Sequence, residues 1–169
     1  ASFHLSNANL IKKIITFPTC KKLIVSTGVS SSAQILHINN LYDSIKQNKP
    51  KIAFLHCVSE YPISSFSNCN LTNIPFINSI TQKEVGYSDH SIGDEVPRTA
   101  VALGSTIIEK HFTIDNDLPG ADHAMSATPN VFQNMVDKCN NVIDMLGSRR
   151  LNGPYNCEAN SIQFCVEDK

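Results

Sequence analysis

Apolar residues along this chain fall into two alternating rhythms. Short runs such as Lys22-Leu23-Ile24-Val25-Ser26 and Lys51-Ile52-Ala53-Phe54-Leu55-His56-Cys57 predict buried strands. Between them, Ile35, Ile38, Leu41 and Ile45 recur at helical spacing, and Pro50 lies beyond that helix. Ser31 with Gln34 three residues on forms a capping box that starts it. Glu84-Val85-Gly86-Tyr87-Ser88 and Thr106-Ile107-Ile108-Glu109-Lys110-His111-Phe112 predict a third and a fourth strand, separated by a helix from Val96 to Leu103. Thr128-Pro129 then opens a last helix, with Phe132, Met135, Cys139, Val142 and Leu146 as its buried stripe and Gly147 as its stop. Upstream, a strand remnant at Ala1–Phe3 and a helix from Asn7 to Phe17 precede these units. Ser64 to Asn73 is polar and reads as a loop, and the tail from Asn152 onward is irregular.

Strands alternating with helices predict βαβ units and a parallel sheet. At 169 residues the chain can bury one core, yet a complete (β/α)8 barrel takes roughly 250 residues. Ala1 is not an initiator Met, so the chain reads as a segment of a longer product. A half sheet leaves strand edges to be covered by other material.

Composition narrows the partners. A net charge of −1 gives no broad field toward nucleic acid or membrane surfaces. No apolar run nears the roughly 20 residues that span a bilayer, and the N-terminus lacks a signal-peptide pattern. Six cysteines without a CxxC pair fit reduced thiols of a cytoplasmic protein.

Polar residues collect where strands end: Ser26; then His56, Ser59, Glu60 and Tyr61; then Ser88, Asp89 and His90; then His111. In parallel α/β folds those C-terminal ends carry the active face. His90 and His111 close consecutive strands, roughly 5 Å apart in a parallel sheet, so two imidazoles could share a cation such as Mn, Fe, Co or Zn. Each histidine alone also fits a strand cap bonded to a loop. Asp122 follows Gly120, whose freedom permits a turn back over the site; a turn-forming Asx role remains open. By alternation Glu109 shares the face of His111, whereas Lys110 points away, toward the helix side or the surface. His56, flanked by apolar residues, reads as a satisfied core histidine. The Ser26-Thr27-Gly28 turn could offer donors to an anion.

Taken in order, Val25-Ser26-Thr27-Gly28, Leu55-His56-Cys57-Val58-Ser59-Glu60-Tyr61-Pro62, Val85-Gly86-Tyr87-Ser88-Asp89-His90, Ile108-Glu109-Lys110-His111-Phe112-Thr113 and Leu118-Pro119-Gly120-Ala121-Asp122-His123 resemble the N-acetylneuraminate (sialic acid) synthase family. The likeness runs from about residue 1 to 155. It implies an α/β fold, the last four to five β/α units of a TIM barrel, in residues 1–151, followed by a linker at 152–169 toward an antifreeze-like domain. It implies condensation of phosphoenolpyruvate with N-acetylmannosamine, its 6-phosphate or a related N-acylated amino sugar, giving a nonulosonic acid and phosphate. The family's metal histidines fall on His90 and His111, holding Mn2+ or Mg2+, with Asp122 beside them as a further catalytic residue. Its substrate contacts fall on Ser2, Ser26, Ser59, Tyr61 and Ser88. Ser26 and Ser88 would bind phosphate or carboxylate, and Asp122 sugar hydroxyls. The parent would be a homodimer.

Departures from the family pattern are specific. The family's first three strands, bearing a catalytic Glu and phosphate-binding Lys residues, have no counterpart here. Ala124-Met125 stand where a Lys is frequent, and Val29 replaces a common Met. The segment is therefore expected to be inactive alone. The competing readings are a non-catalytic remnant or binding module of the same fold, and a two-histidine metal hydrolase.

Overall fold

Local signals set most of the element boundaries. The structure is a computed structural model that describes residues 4–46, 48–148 and 154–162. Helix α1 (Ala8–Ile15) starts at Asn7, whose Oδ1 accepts from the Leu10 amide at 3.0 Å. Strand β1 (Lys22–Ser26) leads to helix α2 (Ser32–Ser44), which carries the full Ser31/Gln34 capping box. Ile35 and Ile38 are buried on it, with Leu41 and Ile45 partly so. Strand β2 (Lys51–Cys57) follows.

The polar stretch after β2 is more ordered than its composition predicts. Phe66–Cys69 forms a 3-10 turn, and helix α3 (Asn73–Thr81) begins where the loop was expected to end. Its buried Ile74, Ile77 and Thr81 keep an i, i+3, i+7 spacing. Pro75 and two asparagines lower its intrinsic helix tendency, so packing decides it. Strand β3 (Glu84–Asp89), helix α4 (Glu95–Ala102) and strand β4 (Ile108–Lys110) come next. The fourth strand is shorter than the seven residues its apolar run predicts, because regular pairing stops at Asp89↔Lys110. Beyond it, Phe112 bridges in parallel to Ala127, so the chain adds a vestigial fifth strand. Helix α5 (Pro129–Leu146) buries Met135 and Cys139, with Phe132 and Val142 partly covered. The predicted stripe fails at its end, where Leu146 is 59% exposed. A short helix α6 (Ala159–Ile162) ends the described part. The strand remnant at 1–3, the 151/152 domain boundary and Cys165 lie outside the described residues.

The four strands form one parallel sheet in the order β1-β2-β3-β4. Sequential order without reversal is that of a barrel wall. In the register, Leu23 and Val25, Ile52 and Phe54, then Val85 and Tyr87 share one face, and all are buried in the core under α1 to α4. The opposite face carries Ile24 and Ser26, Leu55 and Cys57, Gly86 and Ser88, and Glu109. Ile24 there is 46% exposed, as befits the inner surface of an open barrel. The two outward-facing charges Asp89 and Lys110 are buried, with side chains 0% and 2% accessible, and bond each other. Lys110 thus points away from His111, as alternation requires, but it is interior and not a surface residue. No helix among the described residues is long and apolar enough to cross a membrane. Cys20, Cys57, Cys69, Cys139 and Cys157 are free thiols.

Gly86 lets the inner face close. A Cβ built there would stand 2.5 Å from both the Ile107 carbonyl oxygen and Leu55 Cδ2. Gly86→Ala should therefore lower stability by about 1–3 kcal/mol, read as a lower urea midpoint with unchanged slope; a parental midpoint would show that β4 yields. Val29 has the opposite problem: it is exposed and holds φ +53, a region costly for a β-branched residue. Val29→Gly should raise stability by about 1 kcal/mol, and a lower thermal midpoint would contradict this.

Candidate active site

The inner-face residues rise in layers toward the C-terminal strand ends. Ser26 pairs in register with Leu55, and Leu55 with Gly86. One layer higher stand Cys57, Ser88 and Glu109. His90 and His111 follow just past the ends of β3 and β4. The same two-residue alternation that sends Asp89 and Lys110 outward brings both imidazoles inward. Their ring centroids are 5.4 Å apart, with planes at 70°.

The chain also prepares His90 chemically. Its Nδ1 lies 2.7 Å from the Val58 carbonyl oxygen. A carbonyl only accepts, so Nδ1 carries the proton and Nε2 keeps its lone pair. Burial pushes the His90 imidazole below its ordinary range; the Val58 bond opposes this, and neighbouring His111 adds to it. His90 is therefore a neutral donor at pH 7, the form that metal ligation needs. A carbonyl behind a ligating imidazole is a recurrent orienting arrangement.

Tyr61 covers the pair. Its ring centroid is 4.1 Å from that of His90 and 5.8 Å from that of His111. Ser59 hydrogen-bonds Tyr61, and the Ile63 amide donates to the His90 carbonyl at 3.0 Å, pinning this loop to β3. From the other side comes Asp122, whose Oδ2 lies 3.8 Å from His111 Nδ1. The turn at Gly120 (φ +147) makes this return possible, and His123 packs against it. Three polar clamps hold the loop: Thr113 Oγ1 at 2.8 Å from His123 Nδ1, Asn116 Nδ2 donating to the His123 and Ser126 carbonyls, and Ser126 Oγ donating to the Asp122 carbonyl at 2.6 Å.

Most residues singled out from the sequence meet here. His90, His111, Tyr61, Ser59 and Asp122 form one cluster, with Ser88 a layer below and Ser26 a layer below that. Ser2 lies outside the described residues. Ser88 is engaged, since its Oγ donates to Glu109 Oε1 at 2.7 Å. Glu109 is solvent-exposed and not a buried carboxylate, since none of the described residues covers its side of the sheet. His56 is a core histidine: it lies on the helix face, 4% exposed, with Nε2 2.8 Å from the Cys69 carbonyl oxygen. Thr113 and Asn116 escaped the sequence reading. Their only local signal was an Asp/Asn-rich stretch of the kind that forms side-chain-capped turns.

The imidazoles of His90 and His111, on adjacent strands with centroids 5.4 Å apart, could hold a divalent cation. No group of three His, Cys, Asp or Glu side chains converges on a single point among the described residues.

Known proteins resemble the chain across this whole region. An uncharacterised protein of Methanocaldococcus jannaschii is 40% identical over 148 residues, covering 88% of this chain and 42% of the relative. The N,N'-diacetyllegionaminic acid synthase of Campylobacter jejuni is 37% identical over 128 residues, covering 76% of this chain and 37% of its own length. The chain therefore spans less than half the length of these curated relatives. Among solved structures, the N-acetylneuraminic acid (sialic acid) synthetase of Leptospira borgpetersenii, in complex with citrate, superposes with a TM-score of 0.87 at 32% identity, over 99% of this chain and 57% of that one. The sheet is accordingly part of a TIM-type α/β barrel. The sequence profile of the NeuB family matches residues 1–150, and the chain belongs to that family.

Proposed function

We propose that this chain is the C-terminal part of the catalytic barrel of a nonulosonic acid synthase. The reaction is the condensation of phosphoenolpyruvate with an N-acylated amino sugar, N-acetylmannosamine, its 6-phosphate or a relative, giving a nonulosonic acid and inorganic phosphate. The observation that carries this reading is the imidazole pair: two histidines with ring centroids 5.4 Å apart at adjoining strand ends, flanked by Tyr61 and Asp122. The similarity to named legionaminic and sialic acid synthases supports the substrate class.

His90 and His111 would hold a divalent cation. Two nitrogen donors favour Mn2+ over Mg2+, which prefers an all-oxygen shell. When bound, such an ion supplies Lewis-acid polarisation to an aldehyde oxygen. Asp122, exposed and anchored by its loop, would accept hydrogen bonds from sugar hydroxyls. Tyr61, half-exposed over the histidines, would shape the sugar site and limit water. Ser26 and Ser88 would donate to phosphate or carboxylate oxygens. Ser88 has one proton to give and gives it to Glu109, so substrate binding would require it to exchange that partner. Holding both substrates side by side supplies proximity. The complete enzyme would be a homodimer of the cytoplasm.

Because the matched relatives are more than twice as long as the region they share with this chain, the 169 residues alone should not condense the substrates. Phosphate release with Mn2+, phosphoenolpyruvate and N-acetylmannosamine is the assay, and clear turnover would refute the expectation. In the complete gene product, His90→Ala and His111→Ala should each weaken Mn2+ binding by more than about tenfold in a calorimetric titration. Parental titrations in both variants would remove the metal assignment.

A further inference from the structure

The two histidines are each preceded by a buried charge. Asp89 comes immediately before His90, and Lys110 immediately before His111. These two are register partners, the last pair of the β3–β4 ladder. Lys110 Nζ lies 2.5 Å from Asp89 Oδ2 and donates to the Ser91 carbonyl at 2.7 Å. Asp89 Oδ1 accepts from the Ser91 amide at 3.0 Å and from Ser91 Oγ at 2.8 Å. A single ammonium therefore grips the residues on both sides of His90 from the strand that delivers His111.

Strand β4 has only three residues, so the backbone ladder alone gives little purchase at its C-terminal end. Past Lys110, the Ala127 amide donates to the His111 carbonyl at 2.8 Å. Buried ion pairs add little net stability compared with an apolar pair of equal volume, and their best-attested use is to specify one geometry. Here the geometry specified is the offset between the two strand ends.

We propose that Asp89 and Lys110 are positioning residues for the histidine pair: their cross-strand bond on the outer face sets the separation of His90 and His111 on the inner face. This inference rests on the metal reading given above. Neither side chain reaches the inner face, so neither would touch substrate or ion.

The test uses the complete gene product carrying Asp89→Asn together with Lys110→Met. That variant leaves no lone buried charge and keeps an acceptor for Ser91. It is compared with the parent by urea unfolding, by Mn2+ titration and by the visible spectrum of the Co2+-loaded protein. The expected result is an unfolding midpoint near the parent's, Mn2+ affinity about 10–100-fold weaker, and altered Co2+ absorption bands. A merely structural pair would move the midpoint and leave the Co2+ bands alone, which would overturn the proposal. So would parental Mn2+ affinity in the folded double variant. If the double variant does not fold, Ser91→Ala decides: it removes one hydrogen bond of Asp89 and should weaken Mn2+ binding by a smaller factor, and unchanged affinity overturns the inference. His90→Ala and His111→Ala separate the two ideas. If they abolish binding while the pair variants do not, positioning fails and the metal site stands. If they leave binding intact, the metal site fails and positioning falls with it.

Discussion

Side chains of a strand point alternately to its two faces, and parallel pairing in register carries that alternation across the sheet. Everything functional in this chain depends on it. With Asp89 locked opposite Lys110, His90 and His111 must both face the barrel interior, and Ser88 and Glu109 must lie one layer beneath them on that side. A slip of one residue between β3 and β4 would send one histidine into the helix layer and bring a charge to the site.

The helix layer explains why such a slip is resisted. Tyr87, Phe54, Val85 and Ile74 fill the space between sheet and helices and are essentially inaccessible. Moving Tyr87, Phe54 or Val85 to the inner face would expose a large apolar side chain and leave its place in the core poorly filled, at a cost of several kcal/mol for the large residues. Gly86 adds a second constraint, because only a residue without a Cβ fits between Leu55 and the Ile107 carbonyl. Rigid core packing on one face thus holds a polar, solvent-open constellation on the other.

Much of the fold was legible in residue order. The Ser31/Gln34 capping box, the cap at Asn7 and the Thr128-Pro129 start follow from local chemistry that needs no tertiary partner. The elements misjudged were those decided by packing. Helix α3 forms from a sequence rich in Asn and containing Pro75, since Ile74 and Ile77 have a core to enter. Strand β4 stops early because its neighbour β3 ends at Asp89, and Leu146 stays exposed because nothing described covers it.

The sequence by itself determined which residues could meet: periodicity put His90 and His111 at strand ends on one face, and motif order marked Tyr61, Ser88 and Asp122 as their companions. Only the tertiary structure decided how they meet. The 5.4 Å spacing of the rings, the Val58 carbonyl that sets the His90 tautomer, the return of Asp122 to His111 and the burial of Lys110 against Asp89 all join residues between 11 and 32 positions apart in the chain. Contacts of that kind depend on strand register and loop closure, which no local pattern of residues encodes.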